Sequence, residues 1–161
     1  MTEYLIAKWL HILFSTLLFG TGIGTAFYLF FVSHTRNVAA IAVVSRFVVI
    51  ADWWFTATTI VLQPLTGIWL ARIIGYPMDR GWLLWSSVML GLATACWLPV
   101  LWLQVRMRDL AVEAAANGTD LPPRYWRYLN IWTALGVPAL LLFLAIFWLM
   151  VARPPVIWLF G

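Results

Sequence analysis

Apolar residues fall along this chain in long unbroken blocks, not in the alternation of strands or the one-sided stripes of water-facing helices. Four blocks reach the roughly 20 residues that a helix needs to cross the hydrocarbon of a bilayer. They cover about 4–32, 53–74, 82–105 and 131–152. The stretch "NVAAIAVVSRFVVIA" predicts a helical lead-in to the second block. The third block continues as a helix out of the membrane through "RMRDLAVEAAANG", with Asn117-Gly118 as its stop. Pro64 and Pro138 fall inside spans and are expected to kink their helices or interrupt the hydrogen bonding. The pattern predicts an all-α integral membrane protein: four transmembrane helices in a bundle, the third extended into the cytoplasm, as one membrane domain over 1–161.

Composition strengthens this reading. Hydrophobic residues make up 64% of the chain and charged residues 10%, whereas a soluble domain is about half apolar and a quarter charged. The 12 tryptophans suit a chain with indoles at headgroup depth. The net charge of +4 is scattered over short loops, without the basic cluster of a nucleic-acid footprint. Cys96 is the single cysteine, so no disulfide forms within the chain. The first block is too long for the apolar core of a signal peptide, and no clear small-x-small cleavage site follows it.

Four spans place both termini on one side. The loops joining spans one to two and three to four carry Arg36, Arg46, Arg106, Arg108, Arg124 and Arg127; the other side has Lys8, Arg72, Arg80 and Arg153. Basic residues favour the cytoplasm. The expected location is a bacterial inner membrane with the termini on the outer side.

Polar residues inside the first span change the picture further. Lys8, His11, Ser15, Leu18, Gly22 and Ala26 recur at three- and four-residue steps and share one face. Gly20 and Gly24 form a G-x-x-x-G pair on a neighbouring face. Small faces admit a helix or a flat ligand close to the backbone. The bland reading is a snorkelling Lys8, one interhelical hydrogen bond from His11, and a glycine packing seam. His11, however, lies roughly 12 Å inside from Glu3 at 1.5 Å per residue. Ionisable groups at such depth are costly and usually functional. The chemistry that suits this face is haem ligation, with His11 on the iron and Lys8 on a propionate, Arg72 and Arg80 lying toward the same side.

His34 lies 23 residues further on, about 34 Å along a helix. The two histidines of one chain therefore cannot share an iron. Matching depths across spans puts Met89 and Gln63 level with His11, and methionine is a known axial ligand. His34 reads as an interfacial residue near Arg36. Asp52, near the inner end of span two, is expected to pair with Arg46 or Arg127.

"KWLHILFSTLLFGTGIGTAFYLFFVSH" resembles the first helix of the HemJ-type protoporphyrinogen oxidases, with a lysine three residues before a histidine and a second histidine at the end. "QPLTGIWLA" resembles their second helix, and "RYWRYLN", with Arg124, Arg127 and Asn130, their lead-in to the last. The copper-resistance D family has a similar first helix. The chain is also similar to small bacterial integral-membrane proteins grouped as a domain of unknown function. The HemJ resemblance implies haem b in the membrane and His11 as its ligand, with Lys8 nearby. Two positions depart from it: Ser86 stands where a lysine is expected and Ile131 where a glutamate is. Those are the ionisable groups with which an oxidase would handle protons.

The expectation is a membrane b-type haem protein, with cofactor-binding residues His11, Lys8, Gly22 and Met89 and His11 on the metal. Any chemistry would be electron transfer or oxidation of a membrane-accessible partner. Two other readings compete. One is a non-redox transport or binding module for copper or a small solute, although the methionines are too dispersed for a copper site. The other is a structural subunit that docks a partner, or a second copy, on its glycine face.

Overall fold

A computed structural model describes residues 1–79 and 81–154. Four helices dominate it: α1 (Thr2–His34), α2 (Val38–Ile74), α3 (Gly81–Asn117) and α4 (Pro123–Ala152). All four are long and apolar enough to cross a membrane. At 1.5 Å per residue the 33 residues of α1 span about 50 Å, more than the roughly 30 Å hydrocarbon core. Large apolar side chains such as Trp9, Phe31, Phe47, Trp54 and Trp148 cover the outside, which suits contact with lipid.

The lead-in expected before span two is continuous with it. α2 consists of an α-helical segment Val38–Ala51, a π-helical turn Asp52–Thr56 and a second α-helical segment Ala57–Ile74. Asn37 caps its start, accepting from the backbone N–H of Ala40 at 3.1 Å. In the π turn the Ala57 N–H reaches back five residues to the Asp52 carbonyl. One extra residue is thus accommodated, which rotates the two halves of α2 relative to one another. The last helix begins at Pro123, earlier than the apolar block suggests, because proline suits the first turn. α3 ends at Asn117, as expected, and Gly118 takes a φ of +63°. α2 and α4 stay helical through Pro64 and Pro138. Each proline lacks an N–H, so the carbonyls of Ile60 and Ala134 lose their usual helix donors.

α1 packs along α2 and α4 along α3, while the Val38–Ala51 half of α2 rests on α3. α1 and α4 touch sparsely. The principal core lies at the end of the bundle nearest the α1–α2 and α3–α4 loops, around Leu29, Ile41, Met107, Tyr125 and Leu129. A smaller cluster at the opposite end joins Ala71, Trp82, Leu83 and Leu149. Between the two, α1 and α2 stand apart from α3 and α4 around a cavity of about 340 Å³.

Candidate functional site

His11 is half-buried against α2. Its Nδ1 lies 3.1 Å from Thr66 Oγ1 and its Nε2 3.3 Å from Gln63 Nε2. The Thr66 hydroxyl donates to the carbonyls of Leu62 and Gln63 at 2.9 and 3.0 Å. It therefore accepts from His11, which assigns the proton to Nδ1 and leaves the Nε2 lone pair facing the Gln63 amide. Gln63 Oε1 is buried and, among the described residues, has no hydrogen-bond partner.

Gly67 completes the seat. A Cβ there would stand 3.2 Å from His11 Cε1. The imidazole lies against bare backbone, so the close approach of helix to ring occurs on α2. Depth matching brings Gln63 to His11 as expected. Thr66 and Gly67 were hidden in plain view, one turn beyond Gln63 in "QPLTG".

The other expected site residues separate. Lys8 stays on the His11 face one turn toward the terminus, its Nζ 5.7 Å from the centre of the Tyr4 ring. Arg72 is exposed in the last turn of α2, and Arg80 lies outside the described residues. Met89 packs with the Trp82–Leu149 cluster between α3 and α4 and is not brought to His11. Gly22 is 11 residues from His11, about 16 Å along the helix, and lines the central cavity instead. His34 is exposed at the end of α1, its Nδ1 2.7 Å from the Phe30 carbonyl.

Among the described residues, no neighbouring helix of this chain packs onto the glycine track. A Cβ at Gly20, Gly22 or Gly24 would meet nothing within 4 Å. Gly20→Ala and Gly24→Ala are therefore expected to raise stability by about 0.5–1 kcal/mol through helix propensity. A lower melting temperature of either purified variant would reveal a partner against that face.

Asp52 departs most from expectation. It is only 2% exposed, and among the described residues no basic group pairs with it; Arg46 and Arg127 face outward. Its carboxyl accepts from Thr56 Oγ1 at 3.0 Å and from Thr25 Oγ1 at 3.4 Å, and the Gln104 side chain meets it from α3. The π turn places this group on the central cavity, whose wall also includes Gln104 and Trp132. No sequence pattern marks the extra residue of the turn, which carries Asp52 away from the nearby arginines.

Four long apolar helices, one holding a half-buried histidine against its neighbour and another carrying a buried carboxyl, define a polytopic α-helical membrane protein. The chain belongs to the family described as predicted integral membrane protein (DUF2269), whose model matches residues 5–154. Neither the curated proteins nor the solved structures gave a match.

Proposed function

We propose that this is a b-type haem protein of the bacterial inner membrane, with His11 as the axial ligand. The observation that carries the reading is the seating of His11. A ligating imidazole characteristically donates its outer N–H to a fixed acceptor while the other nitrogen keeps its lone pair. Thr66 supplies that acceptor. The Gln63 amide must turn aside to free Nε2, and its unpartnered Oε1 means that it leaves little behind. Lys8, on the same face and nearer water, would hold a propionate. When bound, the haem would supply electron transfer or oxidation of a membrane-accessible partner.

The likeness to the HemJ-type oxidases in "KWLH" supports the cofactor more than the reaction. Ser86 is buried with its hydroxyl on the Trp82 carbonyl at 2.8 Å, and Ile131 is 44% exposed on the outside of α4. Neither offers a group that takes up protons, so protoporphyrinogen oxidation is not part of the proposal. The arginine-rich loops support a topology with the termini on the outer side.

The test is an absorption spectrum of protein expressed with haem supplied. A Soret band is expected, to be lost in His11→Ala. Thr66→Val is expected to keep the band but to weaken haem retention by about 10- to 100-fold. Well-folded protein without the band, or a band unchanged in His11→Ala, refutes the proposal. A second reading, a non-redox binding module, draws support from the cavity beside Asp52. Copper is the poorer cargo for it, since among the described residues no three His, Cys, Asp or Glu side chains gather as ligands.

A further inference from the structure

We propose that a groove between α3 and α4, at the end nearest their connecting loop, binds the headgroup of an aminophospholipid. Its phosphate lies between Arg106 and Arg124, and its primary ammonium meets Glu113. This does not rest on haem at His11. The groove holds about 370 Å³ and is open to the surface along exposed, charged side chains.

One aromatic contact fixes the register of its two walls. The rings of Trp102 on α3 and Tyr128 on α4 meet edge to face, their centres 5.7 Å apart. The helices run antiparallel, joined by a short loop. One turn from this contact toward the loop therefore brings Arg106 and Arg124 level on facing helices, and both line the groove. Axes of packed helices lie about 8–10 Å apart, a gap that two arginine side chains readily close. Both arginines are exposed, so a ligand can reach them. Among the described residues neither forms an ion pair; Arg106 stacks on Trp102, 5.6 Å from the ring centre. Two like charges facing across a groove favour an anion between them, and guanidinium groups match phosphate oxygens well.

The carboxylates narrow the class. Asp109 is held by Arg108, whose Nε and Nη2 lie 3.0 and 2.7 Å from its Oδ1. Glu113, one turn beyond, lines the same groove, is exposed and, among the described residues, has no partner. A complementary ligand thus carries its anion nearer the apolar span and a cation beyond it. An ethanolamine headgroup presents phosphate and ammonium in that order.

Depth favours a lipid over a free phosphate compound. Trp102 is 51% exposed where the apolar run of α3 gives way to charge, the level at which tryptophan meets headgroups. One turn further in, on the same two faces, Leu98 and Ile131 are exposed. They give acyl chains an apolar path into the hydrocarbon.

The experiment is native mass spectrometry of the delipidated full chain in detergent, titrated with dioleoyl phosphatidylethanolamine or dioleoyl phosphatidylglycerol. The second lipid keeps the phosphate and lacks the ammonium. Phosphatidylethanolamine is expected to bind about tenfold more tightly, the worth of one charge-assisted hydrogen bond. Glu113→Gln should erase that preference. Arg124→Gln should weaken both lipids by about tenfold, and Arg106→Gln should do the same. All three positions are exposed, so the fold should be retained. An equal concentration of soluble phosphoethanolamine should not displace the lipid. Equal binding of the two lipids, a preference that survives Glu113→Gln, or affinity unchanged in both arginine variants overturns the proposal. Displacement by phosphoethanolamine overturns the lipid as occupant.

Discussion

Gly67→Leu is expected to unseat His11 and destabilise the protein by about 2–4 kcal/mol. A Cβ alone would stand 3.2 Å from His11 Cε1 and 3.7 Å from Nδ1. The rest of a leucine must occupy the place of the ring. Overpacking of this kind costs about 1–3 kcal/mol, and the displaced ring gives up hydrogen bonds to Thr66 and Gln63 worth about 1 kcal/mol each, offset by about 1 kcal/mol of helix propensity gained on replacing the glycine. Gly67→Ala separates these effects. It needs a shift of only tenths of an ångström, and replacing a mid-helix glycine returns about 1 kcal/mol of helix propensity. Its stability should fall within about 1 kcal/mol of the wild type. Cys96, the single thiol and half-buried, can report unfolding through a thiol-reactive dye. A Leu variant as stable as the Ala variant would mean that His11 is not held against Gly67.

Tyr125→Ala is expected to cost about 3–5 kcal/mol, the range for emptying a buried aromatic site. Tyr125 is fully buried at the start of α4, and Ser33 is fully buried at the end of α1. Ser33 Oγ donates to the Leu29 carbonyl at 2.6 Å, so Tyr125 Oη, at 2.7 Å, donates to Ser33. This is a polar tie between the first and last helices, set within the main core. Tyr125→Phe removes the tie but keeps the ring, and should cost only about 1 kcal/mol. Unfolding in mixed micelles would give both values. Equal losses for the two variants would place the stability in the hydroxyl and not in the packing.

The transmembrane architecture could be read from the sequence because bilayer crossing depends on length and hydrophobicity, which a single chain displays directly. The stop at Asn117 was legible for a similar local reason. Positions that depend on how helices meet were legible only in part. Equal depth led from His11 to Gln63, but depth alone does not say which face of α2 turns inward, so Thr66 and Gly67 went unseen. Glycines spaced at four residues look alike whether they face a helix, a cavity or lipid. Gly20 and Gly24 meet nothing, Gly22 borders a cavity, and Gly67, outside any such motif, carries the close contact. Asp52 was the furthest from reach. Its surroundings come from an extra residue in α2 and from two other helices, and none of these is marked by spacing.

The sparse contact between α1 and α4 also bears on concentration. A molecule that enters sideways from the bilayer meets the protein at its concentration in lipid, which for a greasy compound greatly exceeds that in water. Modest intrinsic affinity then suffices for high occupancy. Any dissociation constant expressed per volume of buffer will vary with the amount of lipid present, whereas one expressed as mole fraction in the membrane will stay constant.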